Sequence, residues 1–159
     1  MGFIYKDEAI FIKSRDKLEK IFGGLNFQSG PLDFNYTTYY EKEMGAGLKR
    51  RFISFSKLIP IGDLYRIKLY TNRLEARFSD SGARRQVNID PGYVDLAKLV
   101  LASTKDYSHR IYLRKGIFAE ITLSYRGNSF AYNDWTYPDY RSQEYIDIFN
   151  KIRLASRTL

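Results

Sequence analysis

The alternation of apolar and polar positions predicts a regular order of strands and helices over the first half of the chain. A strand over 3–5 precedes a helix that Asp7 caps and that ends at Gly23-Gly24. Strict alternation over 32–38 predicts a second strand. The later elements are a strand over 49–55, a helix between Gly62-Asp63 and Asp80-Ser81-Gly82, and a strand over 84–89. This β-α-β-β-α-β order is typical of a ferredoxin-like fold.

Residues 88–110 combine a short apolar segment with two dense polar clusters. Within 94–102, Leu96, Leu99 and Val100 have helical spacings, which predict a short buried helix. The flanking polar residues are Asn88, Asp90 and Tyr93 on one side and 103–110 on the other. A buried helix that anchors two polar loops would hold ligand-binding or reactive groups rigidly. This segment is therefore the candidate functional site.

The remaining pattern extends the predicted core. Strands over 110–113 and 117–125 form an antiparallel hairpin around a turn at Arg114-Lys115-Gly116, and a short strand follows over 130–132. Ser142 caps a last amphipathic helix, and the basic end, 153–159, is expected to fray. The polar stripe of the 62–78 helix (Lys68, Thr71, Asn72 and Glu75) is expected to face solvent. We therefore expect one α+β domain over 1–159, with a ferredoxin-like core, an antiparallel hairpin and a C-terminal helix.

Composition narrows the functional classes. The chain has no cysteine, which excludes a disulfide framework, a thiolate metal site and a thiol nucleophile. No apolar run approaches the roughly 20 residues of a membrane helix, and no secretory signal pattern begins the chain, so we expect a cytoplasmic protein with no membrane partner. The net charge of +8 favours nucleic acid, nucleotides or phosphorylated metabolites as partners; alternatively it only keeps the protein dispersed. The 14 tyrosines can stack on bases or fill a β-rich core.

Five blocks of sequence resemble a known family. They are LKRRF at 48–52, IKLYTN at 67–72, NIDPGY at 88–93, STKDYSHR at 103–110 and WTYPDYR at 135–141. Together they are similar to an uncharacterised family of short prokaryotic proteins, a domain of unknown function (DUF4416) whose members often carry the label "GTP-binding protein". The resemblance covers nearly the whole chain and implies no established activity or catalytic residue.

The GTP label finds no support in the motifs. A P-loop requires G-x-x-x-x-G-K-[ST], and neither Gly23-Gly24 nor the 45–49 segment GAGLK fits it. In Thr104-Lys105-Asp106 the aspartate follows the lysine directly, unlike the T-K-x-D of GTPases. The sequence therefore argues against a P-loop GTPase and leaves open the binding of GTP by another fold.

His109 and Asp106 are the candidate catalytic residues. His109 is the only histidine, and near pH 7 it can act as a general acid or base. The alternative is a histidine that is hydrogen-bonded for structural reasons. A single histidine also excludes a paired-histidine phosphodiesterase.

Asp90, Asp106 and Glu120 are candidate ligands of Mg²⁺, which usually takes one or two protein carboxylates together with phosphate oxygens. The cofactor is otherwise unknown. Asp90 has a simpler interpretation, because Asp90-Pro91-Gly92 is first of all a turn sequence.

Basic and aromatic residues complete the candidate ligand site. Arg50, Lys105 and Arg110 would hold phosphate, while Tyr93 or Trp135 would stack on the ligand or cover it. Asn88 would line the same site. The alternative for Arg50 is an exposed strand edge whose charges prevent aggregation, and the alternative for the Trp135 loop is a plug over the sheet.

Three functions follow from these residues. The leading hypothesis is a protein that binds a phosphorylated ligand, either a nucleotide or RNA. The second is a metal-assisted enzyme of phosphate chemistry, of phosphodiesterase or nuclease type, with His109 or Asp106 as base and Asp90 and Glu120 holding the metal. The third is a non-catalytic interaction domain. A helix of nine residues would separate the two polar clusters by roughly 14 Å, so a single site requires the chain to fold back.

Overall fold

The computed structural model describes residues 1–156, which form a mixed α and β structure with two antiparallel sheets and four α-helices. The chain divides into two compact units, Met1–Leu58 with Leu69–Asp90 and Ile59–Lys68 with Pro91–Leu159. Within the described residues, none of the helices has both the length and the apolar character needed to cross a bilayer.

The first unit contains one sheet with two longer helices. Its elements are β1 (Gly2–Tyr5), α1 (Glu8–Phe22), β2 (Leu25–Gln28), β3 (Leu32–Asp33), α2 (Glu41–Met44), β4 (Lys49–Phe55), the part of α3 (Leu64–Arg77) from Leu69 onwards, and β5 (Val87–Asp90). The strand order is β2-β4-β1-β5, and β3 also pairs with β4. Every pair is antiparallel.

Local signals place α1 where the sequence predicts it. The Asp7 side chain accepts a hydrogen bond from the Ala9 amide at 2.8 Å, and Gly23 ends the helix with a φ of 89°. The core of this unit lies between sheet and helices and contains Phe3, Tyr5, Phe11, Leu18, Ile53, Leu74, Val87 and Ile89. The predicted first strand, first helix and 49–55 strand are thus confirmed.

The predicted strand over 32–38 is wrong beyond Asp33. The Thr37 hydroxyl accepts a hydrogen bond from the Tyr39 amide, and the Thr38 carbonyl accepts one from the Glu41 amide. These bonds turn the backbone into α2 instead of extending β3. A short polar side chain that bonds to its own backbone competes in this way with strand pairing.

The expectation that the polar stripe of α3 faces solvent is also wrong, because Lys68, Thr71 and Glu75 are buried. Glu75 shows why a charged side chain is found there. Its Oε1 accepts a hydrogen bond of 2.7 Å from the amide of Ile89, on the edge strand β5. A backbone donor at a sheet edge has no strand to pair with, so the carboxylate satisfies it.

The second unit contains the other sheet. Its elements are the start of α3, β6 (Gly92–Val94), β7 (Lys98–Ser103), β8 (Ile111–Arg114), β9 (Ile117–Arg126), β10 (Ser129–Tyr132) and α4 (Gln143–Ser156), with short 3-10 helices at Ile61–Asp63 and Pro138–Arg141. The strand order is β10-β9-β7-β6, and β8 also pairs with β9. Helix α4 reaches Ser156, and the last part of the segment expected to fray, 157–159, lies outside the described residues.

The predicted helix over 94–102 is wrong, because β6 and β7 form an antiparallel hairpin there. Asp95 makes the turn: its Oδ1 accepts from the amides of Ala97 and Lys98, at 2.7 and 2.8 Å. The turn leaves Leu96 65% exposed, so its helical spacing has no packing role. Gly92 allows the close approach of the strands, since a Cβ at that position would clash with the Val100 carbonyl oxygen.

The hairpin after this segment is confirmed. Lys115 and Gly116 both have positive φ, 53° and 75°, as a two-residue turn with the twist of the strands requires. The start of the last helix is confirmed too, since the Ser142 hydroxyl accepts a hydrogen bond from the Tyr145 amide at 3.3 Å.

Candidate functional site

A buried carboxylate, Glu120, lies at the centre of the polar residues of the second unit. It belongs to β9 and its side chain is 4% exposed. His109 Nε2 lies 3.0 Å from its Oε2, Arg110 Nε donates to the same oxygen at 2.8 Å, and the Thr122 hydroxyl donates to Oε1 at 3.2 Å. The three partners satisfy both oxygens of a group that would otherwise be costly to bury.

His109 and Arg110 both reach Glu120 although they are consecutive residues. Within a strand, consecutive side chains point to opposite faces. These two residues precede the first residue of β8, Ile111, in a turn closed by a hydrogen bond from the Arg110 amide to the Tyr107 carbonyl. The turn therefore lets both side chains bind one carboxylate.

Arg110 is almost completely buried, with 3% of its side chain exposed. Besides its bond to Glu120, its Nη1 donates to Ser103 Oγ at 2.8 Å and to the Lys105 carbonyl at 3.0 Å. Its Nη2 contacts the Tyr137 hydroxyl at 3.5 Å. Burial acts to lower the pKa of Arg110, but the hydrogen bond and charge of Glu120 outweigh it and the pKa is raised. Arg110 is a permanent cation that organises the loop around it.

Four rings surround the ion pair of Arg110 and Glu120. We call them the ring cluster: Tyr107, His109, Trp135 and Tyr137. His109 and Trp135 are stacked, with centroids 5.7 Å apart and planes 12° from parallel. Tyr107 lies 5.9 Å from His109. The Arg110 guanidinium lies 4.5 Å from the centroid of the Tyr107 ring and 6.0 Å from that of Tyr137. Trp135 is 42% exposed, so the cluster is anchored from inside and open to solvent outside.

The loop that carries Trp135 is bonded directly to β9. The indole Nε1 donates to the Ile121 carbonyl at 2.9 Å, and so does the side-chain amide of Asn133 at 3.1 Å. The buried Thr136 hydroxyl donates to the Thr122 carbonyl at 2.6 Å. Glu120 lies on β9 next to Ile121, so these bonds fix the ring of Trp135 relative to Glu120.

The hydrogen bonds assign the protonation of His109. Glu120 is paired with a guanidinium, so its carboxylate is ionised and accepts only. His109 Nε2 must then carry a hydrogen, and in neutral histidine the lone pair is on Nδ1. Among residues 1–156, no hydrogen bond to Nδ1 is formed. Within the described residues, the hydrogen bonding of His109 is therefore confined to Nε2.

In the first unit, Arg50 is held inside the protein. Its side chain is 2% exposed and its guanidinium lies between two rings, 5.4 Å from Phe34 and 5.2 Å from Phe52. It also pairs with Asp90, at 3.4 Å. Two aromatic faces and a carboxylate compensate for the lost hydration of this buried cation.

Asn88 and Asp90 belong to the same charged network. The Asn88 side-chain amide donates to Asp90 Oδ2 at 2.9 Å and its oxygen accepts from Arg85 at 3.3 Å. Arg85 also pairs with Glu43 at 2.7 Å and with Glu75 at 3.3 Å. The hydrogen bonds from Arg85 hold the pKa of Glu43 below its ordinary value, and Glu43 in turn raises the pKa of Arg85.

The other predicted site residues lie in the second unit. Lys105 and Asp106 are exposed in the loop after β7. Tyr93 lies on β6, where burial raises the pKa of its hydroxyl and its charged neighbours are Lys98 and Asp95. Of the ten predicted residues, Arg50, Asn88 and Asp90 are in the first unit and the other seven are in the second. That they form one site stays a prediction.

A comparison with protein families gives one match. The family model described as Domain of unknown function (DUF4416) matches residues 1–155. The chain belongs to this family. No curated protein and no solved structure matches the chain. The resemblance seen in the five sequence blocks is thus confirmed, and the family description adds no activity to it.

In this DUF4416 chain the carboxylates predicted to hold metal are already occupied by protein donors. Asp90 accepts from Arg50 and Asn88, and Glu120 accepts from His109, Arg110 and Thr122. Over the part of the chain that the structure describes, no group of three or more His, Asp or Glu residues is arranged to hold a metal ion. Binding of Mg²⁺ by Asp90 and Glu120 therefore stays a prediction without support from the geometry.

Sequence reasoning missed the partnership of Glu120 with His109, and the roles of Tyr107 and Tyr137. One signal was present, because Glu120 directly follows the apolar run Ile117-Phe118-Ala119 within a predicted strand. A charge in that place needs a partner. The spacing alone could not say which residue provides it.

Proposed function

We propose that this protein binds an unpaired nucleobase that carries phosphate, either in single-stranded RNA or in a free nucleotide, by stacking on the ring cluster. The observation that carries the proposal is the parallel pair of His109 and Trp135, which is fixed to β9 on its inner side and exposed on its outer side. A flat ligand can extend an existing stack without ordering new side chains.

The energetics support a stacking site. Base–aromatic stacking contributes about 1–3 kcal/mol per base and tolerates any base. Here hydrogen bonds already hold two of the rings in place, that of His109 through Glu120 and that of Trp135 through the Ile121 carbonyl. Little side-chain entropy is therefore lost when a ligand binds. The net charge of +8 provides attraction to phosphate and faster association.

Two of the three cations predicted to hold phosphate have other roles in this proposal. Arg50 and Arg110 are buried and paired with Asp90 and Glu120. We assign them to positioning, whereas Lys105 is exposed in the loop between Ser103 and the ring cluster and is suited to contact phosphate. The cytoplasm, which contains both kinds of ligand, stays the predicted compartment.

The test uses Trp135, the only tryptophan, as its own probe. We expect an eight-nucleotide oligo-U RNA and UMP to quench its fluorescence. Trp135→Ala, followed by anisotropy of labelled RNA, should lose about 1–3 kcal/mol of stacking, which is a 5- to 150-fold weaker affinity. Trp135→Phe should retain most of the binding. Tyr132→Ala, which removes an exposed ring on β10, is the control.

Two results would contradict the proposal. The first is the absence of any binding of RNA or UMP at low salt, where electrostatic attraction is strongest. The second is an affinity of the Trp135→Ala protein equal to that of the unchanged protein, because stacking would then contribute nothing.

A second candidate function is phosphodiester cleavage with His109 as general base. The specific observation is the contact of His109 Nε2 with the buried carboxylate of Glu120, which orients the imidazole as a second group orients a catalytic base. Incubation with single-stranded RNA, with and without Mg²⁺, should shorten it if this candidate is correct. His109→Ala and Asp106→Asn separate the two predicted bases. Intact RNA in every reaction would eliminate the candidate.

We also infer that the first unit is a ferredoxin-like fold. The order β2-β4-β1-β5, antiparallel throughout, and the positions of α1 and α3 in the chain support this assignment. An experimental structure in which β1 lacks β4 and β5 as neighbours would overturn it.

A further inference from the structure

Two residues at the turn of the β8–β9 hairpin and two at the start of α3 form a cationic group that the sequence did not point to. We call it the tip cluster: Tyr65, Arg66, Arg114 and Lys115. The Tyr65 ring has the guanidinium of Arg66 at 5.7 Å and that of Arg114 at 5.9 Å from its centroid. Arg66 Nε also donates to the Tyr65 hydroxyl at 3.0 Å. Tyr65 thus gathers cations from two separate segments of the second unit.

The tip cluster has an excess of positive charge. Asp63 pairs with Arg66 at 3.1 Å, which leaves the charges of Arg114 and Lys115 without a carboxylate partner in the described chain. The positive charge also affects the tyrosine. The hydrogen bond from Arg66, and then the charges of Arg66, Arg114 and Lys115, lower the pKa of the Tyr65 hydroxyl. A cluster that stabilises a phenolate also favours phosphate oxygens.

These cations differ from Arg50 and Arg110 in their exposure. The Arg66 side chain is 69% exposed, and Arg114 and Lys115 are exposed at the hairpin turn. Their guanidinium and ammonium groups are therefore available to a ligand without breaking a buried ion pair.

Strand β8 connects the tip cluster with the ring cluster. It begins directly after Arg110 and ends at Arg114, and within residues 1–156 its pairing partner is β9. At about 3.3 Å per residue, the five residue steps from His109 to Arg114 span at most roughly 17 Å. Tyr112 is exposed along the way. Stacked nucleotides advance about 3.4 Å each, so the span corresponds to about four or five of them.

We propose that the tip cluster binds backbone phosphates of a single-stranded nucleic acid whose bases stack on the ring cluster. The ligand is then a strand of at least about four nucleotides, because a mononucleotide cannot reach both clusters. This inference rests on the proposed function and narrows its ligand from nucleotide or RNA to an oligonucleotide that follows β8.

The experiment measures affinity against ligand length and salt. We expect labelled oligo-U of two, four and eight nucleotides to bind with rising affinity, with the main gain between two and about five, and UMP to be weakest. Arg114→Ser with Lys115→Ser should bring the eight-nucleotide strand close to the affinity of the dinucleotide. It should also reduce the slope of log K against log salt by about 1.4, since each phosphate contact to a single strand contributes about 0.7.

The control removes two exposed cations elsewhere in the second unit. We call the protein with Arg114→Ser and Lys115→Ser the tip variant. The control, Arg126→Ser with Lys151→Ser, changes the net charge by the same amount, so any loss of RNA affinity that both variants show is due to net charge alone. A loss confined to the tip variant supports the inference. All four residues are exposed, and circular dichroism should show that both variants fold.

The outcomes separate this inference from the proposed function. If UMP binds as tightly as the eight-nucleotide strand and Trp135→Ala weakens both, the ring cluster is a nucleotide site and the tip cluster inference is overturned. If the tip variant keeps the affinity and salt slope of the unchanged protein, the inference is overturned as well. If neither RNA nor UMP binds, the proposed function fails and the inference fails with it.

Discussion

Replacing Glu120 by Gln tests whether the buried carboxylate holds the ring cluster together. The change keeps the size of the side chain and removes its charge, so Arg110, whose side chain is 3% exposed, loses its carboxylate partner. Removal of one partner of a buried ion pair usually costs about 3–5 kcal/mol, because the remaining charge is uncompensated. Gln can still accept one hydrogen bond, so we expect the lower end, about 3 kcal/mol.

The loss is large enough to measure by urea unfolding. With an m value of about 2 kcal/mol/M, a loss of 3 kcal/mol lowers the midpoint by about 1.5 M. The fluorescence of Trp135 reports the same event locally, because its ring is stacked on His109, which bonds to Glu120. Glu144→Gln is the matched control: that carboxylate is exposed in the first turn of α4, and its loss should cost less than about 1 kcal/mol. A Glu120→Gln protein with the midpoint of the unchanged protein would refute the reasoning.

Two further predictions concern pH and backbone packing. The lowered pKa of Glu43, caused by the hydrogen bond from Arg85, contributes stability above the carboxyl's unfolded pKa of about 4.3 that is lost as the pH falls through the folded value. Glu43→Gln should therefore flatten the acid side of a plot of unfolding free energy against pH; an unchanged slope would argue against it. Gly92→Ala should cost about 1–3 kcal/mol because its Cβ clashes with the Val100 carbonyl, whereas Gly30→Ala, with open space around it, should be nearly neutral in the same thermal melt.

Elements with their own local signals were predictable from sequence. Asp7 and Gly23 mark the ends of α1, and Lys115-Gly116 marks the hairpin turn, because each acts through its neighbours in the chain. The prediction of a helix over 94–102 failed for the opposite reason. Its apolar residues satisfy helical and strand spacings equally, and the choice is made by the pairing of β7 with β9, about 20 residues further on.

The candidate site was predictable only in part for the same physical reason. His109 was identified by its chemistry, since it is the only histidine. Its partner Glu120 was assigned to metal instead, because the contact depends on the register that places Ile111 opposite Ala119. The tip cluster was missed altogether: Arg66 follows Tyr65 directly, but Arg114 is far away in sequence, and only the fold brings it to Tyr65.

The ion pair of Arg110 and Glu120 allows a last prediction that separates stability from function. Replacing a buried pair by apolar residues of similar volume is often neutral or stabilising, whereas removing one partner is not. We therefore expect Arg110→Met with Glu120→Leu to recover most of the urea resistance that Glu120→Gln loses. The double variant still lacks the acceptor that fixes His109 Nε2 and the cation that lies against the Tyr107 ring. If the pair serves to position the rings, the double variant should bind oligo-U at least tenfold more weakly than the unchanged protein, despite its recovered stability. Recovery of both stability and binding would mean that the pair is a feature of folding alone and that the ring cluster needs no buried charge to hold it in place.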